Sequence, residues 1–471
     1  MMRRVDFNSE AYSPMKNRLF FALSLFIAVL PAPTFAATET TFEKTLANGL
    51  RVIVKEDRRA PTVVHMVWYR AGAMDEKDGT SGVAHVLEHM MFKGTKTLKP
   101  GEFNKRVAEA GGRDNAFTSL DYTAYFQIVP KGALPEMMQL EADRMANLVL
   151  SPEEFAAEIQ VVMEERRLRT EDNPEARVYE GLKAAAFMAH PYRRPIIGWM
   201  DDLKSMTWQD ARDWYHDWYA PNNAYVVVAG DVDHKEVFKL AEQTYGKHKA
   251  KPLPVRKPQN EPPQQGMRRV TVKAPAQLPY LLMAWKAPKL VDIDKDREPY
   301  ALEVLSSLLD GNDAARFPKR LVRGEKIAQS AGAGYDASVR GETTFMLAGQ
   351  PAAGKTIAEL EAALRQEIKR IQDEGVTEEE LKRVKTQTIA AQVYKRDSLM
   401  AQAMEIGHAE ASGLHWRDID KLLDKIRSVT AEEVQAVAKK YFSDDTLTVA
   451  VLDPQPMDPA AKKKSGFATR H

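Results

Sequence analysis

Val83-Ala84-His85-Val86-Leu87-Glu88-His89-Met90-Met91-Phe92 is the stretch on which the reading of this 471-residue chain turns. Its apolar residues recur at helical spacing, which predicts a single half-buried helix. On such a helix His85 and His89, four residues apart, share a face, and Glu88 lies beside them. Two imidazoles so placed can ligate one zinc ion. Glu88 is then left next to the metal rather than on it, where it can take a proton from zinc-bound water. The pattern reads as metal-assisted hydrolysis.

A catalytic zinc takes three protein ligands and keeps one position for water, so a third, acidic ligand is expected on another helix. Ser151-Pro152-Glu153-Glu154 has the form of a capped helix start, with proline at the first helical position and acids in the first turn. Along the helix that follows, Glu158 and Glu165 are two turns apart on one face. Glu164, Glu171 and Glu154 are rivals that spacing alone does not remove, because most acids on such a helix are simply solvated.

With these motifs the chain resembles the pitrilysin/insulinase family of zinc metallopeptidases, whose H-x-x-E-H motif is His85 to His89 here. Glu158-Ile159-Gln160-Val161-Val162-Met163-Glu164-Glu165-Arg166-Arg167 is similar to the family's second helix. The resemblance implies one Zn2+ per chain held by His85, His89 and Glu165. It assigns catalysis to Glu88 as general base, with Glu158 as a second active-site carboxylate that supports the site without binding metal; Glu164 is the competing third ligand. It further implies an α+β fold of two homologous domains, each a mostly antiparallel sheet packed with helices, facing a central cleft.

Other blocks carry the same resemblance. Thr45-Leu46-Ala47-Asn48-Gly49-Leu50-Arg51-Val52 looks like the family's opening hairpin around an Asn-Gly turn. His190-Pro191-Tyr192 and Pro195-Ile196-Ile197-Gly198 match a further block. Gly112 to Ser119, with Asp121-Tyr122-Thr123, resembles the edge strand that holds substrate backbone, which makes Asn115 and Ala116 the expected substrate contacts. An exposed edge suits a peptidase, since added backbone hydrogen bonds hold an extended peptide whatever its sequence.

The two halves of the chain read as repeats of one plan. Thr207-Trp208-Gln209-Asp210 before the strand 224–229 is echoed by Thr430-Ala431-Glu432-Glu433 before 447–451, and Ser151 to Glu154 by Thr377 to Glu380. In register, Leu302, Leu305 and Ser306 stand where His85, Glu88 and His89 do, and Val384 and Ala391 stand opposite Glu158 and Glu165. The second half therefore lacks zinc ligands. The expected organisation is a signal peptide over 1–36, a catalytic zinc-binding domain over 37–250 and a Pro-rich linker over 251–265. An inactive homologous domain over 266–457 and a polar tail over 458–471 complete it.

Complete members of the family usually carry in the second half an arginine and a tyrosine, seven apart, that bind substrate and steady the oxyanion. Here Val322 and Gln329 occupy those positions, although a small slip would recruit Arg323 and Tyr335. The resemblance thus implies the zinc-bearing subunit of a heterodimer, with a homologous subunit supplying the pair; a homodimer is the alternative. The substrate class is peptides or small unfolded polypeptides.

Lys16 and Arg18 before the apolar run Leu19 to Leu30, with Thr34-Phe35-Ala36 ahead of the cut, predict export to the periplasm. That run is too short for a comfortable membrane span. With 67 basic and 66 acidic residues the charges nearly cancel, which argues against a nucleic-acid partner, and the lack of cysteine excludes thiolate ligands. Gly349-Gln350-Pro351-Ala352-Ala353-Gly354-Lys355-Thr356 fits a phosphate-binding loop and keeps a nucleotidase open as a minor alternative. A non-catalytic peptide-binding or assembly subunit is the other.

Overall fold

The computed structural model describes residues 40–457, so the expected signal peptide over 1–36 and the expected polar tail over 458–471 lie outside the described residues. Two sheets carry the fold. The first has six strands, β1 (Thr41–Thr45), β2 (Arg51–Glu56), β3 (Thr62–Tyr69), β4 (Arg113–Thr118), β5 (Thr123–Pro130) and β6 (Ala224–Gly230), in the order β1-β2-β6-β3-β5-β4. The second has β7 (Arg268–Pro275), β8 (Tyr280–Ala287), β9 (Ala328–Gly334), β10 (Thr343–Pro351) and β11 (Leu447–Gln455), in the order β7-β11-β8-β10-β9. With β1 set aside, the two orders correspond strand for strand. Each has one parallel pair, β2 with β6 and β7 with β11, in an otherwise antiparallel sheet. The repeat read from the caps is thus a repeat of topology, and the fold is α+β in two like halves.

The opening hairpin forms where expected, with Gly49 at φ 86 and Leu46 N–H donating to the Leu50 carbonyl. Ser151, Thr207, Thr377 and Thr430 all cap their helices through the side-chain oxygen. The central strands β3 and β6 are buried almost throughout because both faces of the first sheet are covered, and their sequences are correspondingly continuous runs of apolar residues. Trp214 and Trp218 are buried in the first core. Leu302 and Leu305, on helix Glu298–Asp310, fill the second core; in the register of the two halves they stand opposite His85 and Glu88.

Each half lends a helix to the other's sheet. Helix Pro174–Ala186 lays Val178 and Leu182 against Ala274, Leu282 and Ala450 of the second sheet. Helix Leu399–Ser412 lays Ala403 and Ile406 against Trp68 and Tyr225 of the first. Polar ties reinforce the second exchange: the Tyr225 hydroxyl donates to the Gly407 carbonyl at 2.8 Å and Arg70 to that of Glu410 at 2.6 Å. The proline-rich stretch 251–265 has no regular structure but is strapped down. Glu261 accepts the backbone N–H groups of Met188, Ala189 and His190, and Arg256 pairs with Asp75.

Gly407 lies where helix and sheet meet most closely. A Cβ there would lie 2.1 Å from Cζ2 of Trp68, a ring locked between Tyr122 and Tyr225. Gly407→Ala is expected to lower stability by about 1–3 kcal/mol through overpacking, read as a lower midpoint in denaturant unfolding followed by tryptophan fluorescence.

Candidate metal centre

Helix Val83–Met90 is short and is held from both ends of its first turn. It starts at Gly82, φ 89, where the Glu76 carboxyl accepts the N–H of Gly82 at 2.9 Å and of Ala84 at 3.0 Å. Burial pushes Glu76 up to about 8 against the pull of those two donors. Gly82 and Gly198, both at positive φ, pack backbone to backbone. A Cβ on Gly198 would meet the Ser81 carbonyl at 2.3 Å, and one on Gly82 would meet that of Ile197 at 2.5 Å. This is why the Pro195 to Gly198 block belongs to the site: it sets the height of the helix.

From this helix His85 and His89 project with ring centroids 4.8 Å apart. Helix Pro152–Arg166 brings Glu165 to them, its Oε2 lying 3.8 Å from Nε2 of His85 and 3.3 Å from Nε2 of His89. One ligand atom from each of the three residues lies within 4.8 Å of the others. Glu164 is turned away to an exposed pair with Arg167 at 2.7 Å. Glu171 approaches the Arg166 guanidinium at 3.6 Å, and Glu154 sits at the helix start.

Glu158 bonds Nδ1 of His89 at 2.8 Å through Oε1 and holds Lys93 at 2.5 Å through Oε2. The His89 hydrogen bond and Lys93 hold the Glu158 carboxyl down at about 2, against its burial. Burial lowers His85 to about 4, with His89 adding to the effect, which favours the neutral imidazole a metal requires. His89 is opposite: burial would lower it, yet the Glu158 and Glu165 carboxylates raise it to about 9. A donor set of two imidazoles and a carboxylate suits a divalent zinc ion, so these residues fit the metal.

Glu88 points to the same place without joining the cluster. Its Oε2 accepts the Thr118 hydroxyl at 2.5 Å, and burial raises its proton affinity while that bond opposes the rise. Thr118 ends β4, the outer strand of the first sheet, and the strand borders the same cavity. Asn115 and Ala116 line it as well, and the Ala116 N–H is met by Oδ1 of Asn115 at 2.9 Å. The cavity holds about 640 Å³.

Three partners escaped the sequence reading. Thr118 and Lys93 orient Glu88 and Glu158. Arg169 holds Oε1 of Glu165 at 2.8 Å from a π-helical turn, Arg167–Glu171, that continues the helix of Glu165. Thr118 stood within the edge-strand block, but only the sheet shows that it faces the histidine helix.

In the second half, Val322 packs on the second core and Gln329 is exposed on β9. The slipped alternatives are occupied elsewhere, Arg323 with the Asp313 carbonyl and the Tyr335 hydroxyl with that of Pro288. The phosphate-loop reading of Gly349 to Thr356 is corrected by the structure. Thr356 caps helix Ile357–Glu374, Glu359 closes on the Thr356 N–H at 2.8 Å, and Lys355 pairs with Glu359 at 3.0 Å. Side chains of the same turn take the groups a phosphate would need.

Similarity to known proteins follows the same outline. The sequence model of the insulinase family, peptidase family M16, matches residues 51–199, and that of the peptidase M16 inactive domain matches residues 205–388. The chain is 33% identical over 420 residues to a protein of Helicobacter pylori named zinc protease PqqE, covering 87% of this chain and 92% of that one. Among solved structures, a protease from Helicobacter pylori superposes with a TM-score of 0.83 at 29% identity, over 88% of this chain and 99% of that one. The periplasmic protease PqqL from Escherichia coli shares the fold at a TM-score of 0.77 and 20% identity, over 92% of this chain and 51% of that one.

Proposed function

The chain belongs to the insulinase family of peptidases, family M16, and on that premise we propose that it is a zinc-dependent endopeptidase acting on peptides or small unfolded polypeptides. The observation that carries the reading is the convergence of His85, His89 and Glu165, from two helices, with Glu88 at their side. Bound zinc would polarise the scissile carbonyl and lower the pKa of water there to about 7. Glu88, made more basic than an ordinary carboxylate by burial, takes the proton from the attacking water and passes it to the leaving amine. Glu158 is a positioning residue that fixes the ring of His89 through Nδ1. Asn115 and Ala116 hold substrate backbone along β4, the Ala116 N–H becoming available once the Asn115 amide turns aside.

The place of action is the periplasm, on the leader pattern of Lys16 to Ala36. No helix among the described residues is long and apolar enough to cross a membrane. The Val322 and Gln329 positions support a heterodimer in which a homologous subunit supplies the arginine and tyrosine.

Chelation tests the metal. Dialysis against a chelator is expected to abolish cleavage of a fluorogenic peptide and stoichiometric zinc to restore it; cleavage that survives complete metal removal would end the reading. Thr118→Val should lower kcat about tenfold or more with zinc content unchanged, because a hydrogen bond to a buried carboxylate contributes about 1.5–3 kcal/mol. Single-turnover rates and metal analysis on the same preparation check it.

A further inference from the structure

Helix Pro174–Ala186 runs beside two adjoining cavities. The first is that of the metal centre; the second, about 550 Å³, is lined by β9 and its neighbours on the second sheet. Leu120, Tyr179, Lys183 and Tyr192 line both. Every other cation of these linings is engaged: Arg169 with Glu165 at 2.8 Å, Arg193 with Asp78 at 2.6 Å and Arg194 with Asp78 at 3.0 Å. Lys183 has no ion-pair partner among the described residues. Its ammonium lies 4.6 Å from the ring centre of Phe187 and 5.5 Å from that of Tyr192.

The acids nearby are spoken for. Asp121 accepts the Tyr192 hydroxyl at 2.5 Å and the Arg340 N–H at 2.9 Å, and Glu180 is held by Arg166 at 2.9 Å. Glu175, Asp310, Asp336 and Glu342 line the second cavity, where they would repel a negative group, and none of them lines the first. A half-buried cation resting on aromatic faces, without a counter-charge, is a receptor for an anion. Burial pushes it down to about 8, a loss of proton affinity that a bound carboxylate would restore.

We propose that Lys183 is the specificity-determining residue of this cleft, pairing with a carboxylate of the bound peptide at the junction of the two cavities. The proposal rests on the peptidase reading for its substrate. That carboxylate is either an acidic side chain or the peptide's own C-terminus, and both give the ammonium the same charge-assisted hydrogen bond.

Two peptide pairs separate the sources, one with an internal glutamate against glutamine, the other with a free against an amidated C-terminus. With the zinc-loaded full chain, kcat/KM should favour the carboxylate by about tenfold in at least one pair, and the pair that shows it names the source. Lys183→Met should bring that ratio to near one, and Lys183→Arg, which keeps the charge and controls for folding, should retain it. Equal ratios in wild type and Lys183→Met overturn the proposal. If the zinc-loaded wild type cleaves no peptide, the hydrolase reading fails separately. The same pairs are then compared by fluorescence anisotropy: a carboxylate preference lost in Lys183→Met upholds the Lys183 site, and no preference overturns it.

Discussion

Glu88→Gln is expected to lower kcat for peptide hydrolysis by about 10²–10⁴-fold while the protein keeps its zinc. The amide retains an oxygen to accept the Thr118 hydroxyl, so the side chain stays in place, and the proposed ligands His85, His89 and Glu165 are untouched. What disappears is the ability to take a proton from water and deliver it to the departing amine. Metal analysis beside steady-state kinetics separates this from a binding defect, since KM should change little. Wild-type turnover by Glu88→Gln would move the general base to another residue.

Glu141→Leu should be the most damaging single change to stability. Glu141 is fully buried on helix Leu134–Asn147, where it grips Arg144 at 2.5 and 2.7 Å and accepts the Gln127 amide at 2.5 Å. Gln127 in turn bonds His65, which reaches the Tyr245 hydroxyl at 3.0 Å. The Arg144 guanidinium lies 4.2 Å from Phe103, 4.4 Å from Tyr125 and 5.0 Å from Phe92, two residues beyond the histidine helix. Removing the carboxylate strands a cation in an aromatic core, at a cost of about 3–5 kcal/mol. Thermal unfolding should show a loss of roughly 10 °C. The double variant Glu141→Leu with Arg144→Met should recover most of it; a double variant as unstable as the single one would mean the loss comes from packing rather than charge.

Much of the site was legible because its geometry is local. The four-residue spacing of His85 and His89 places them on one helical face whatever surrounds the helix. The Ser151 cap, the Asn48-Gly49 turn and the Thr356 and Thr377 caps are likewise decided by backbone groups within a turn of themselves. The ligand helix was different. Glu158, Glu164 and Glu165 are equivalent as letters, and family resemblance, not spacing, favoured Glu165. The packing of that helix turns Glu165 toward the imidazoles and leaves Glu164 to Arg167 in solvent. Glu141 and Arg144 show the same ambiguity, since an acid and a base three apart usually mark a solvated face, yet this pair is wholly buried.

Periodicity, caps and the histidine spacing made legible the helices, the strands, the repeat of two like halves and the candidate site of the first half. They could do so because each depends on residues a few positions apart. Contacts between distant segments were invisible until the chain was folded: Thr118 beneath Glu88, the exchange of helices 174–186 and 399–412 between sheets, and Lys183 left without a counter-charge between two cavities. An apolar stripe records that a helix must be covered but not by what. A charged side chain records what it can pair with but not whether a partner comes within reach, and that distance is set by the packing of elements far apart along the chain.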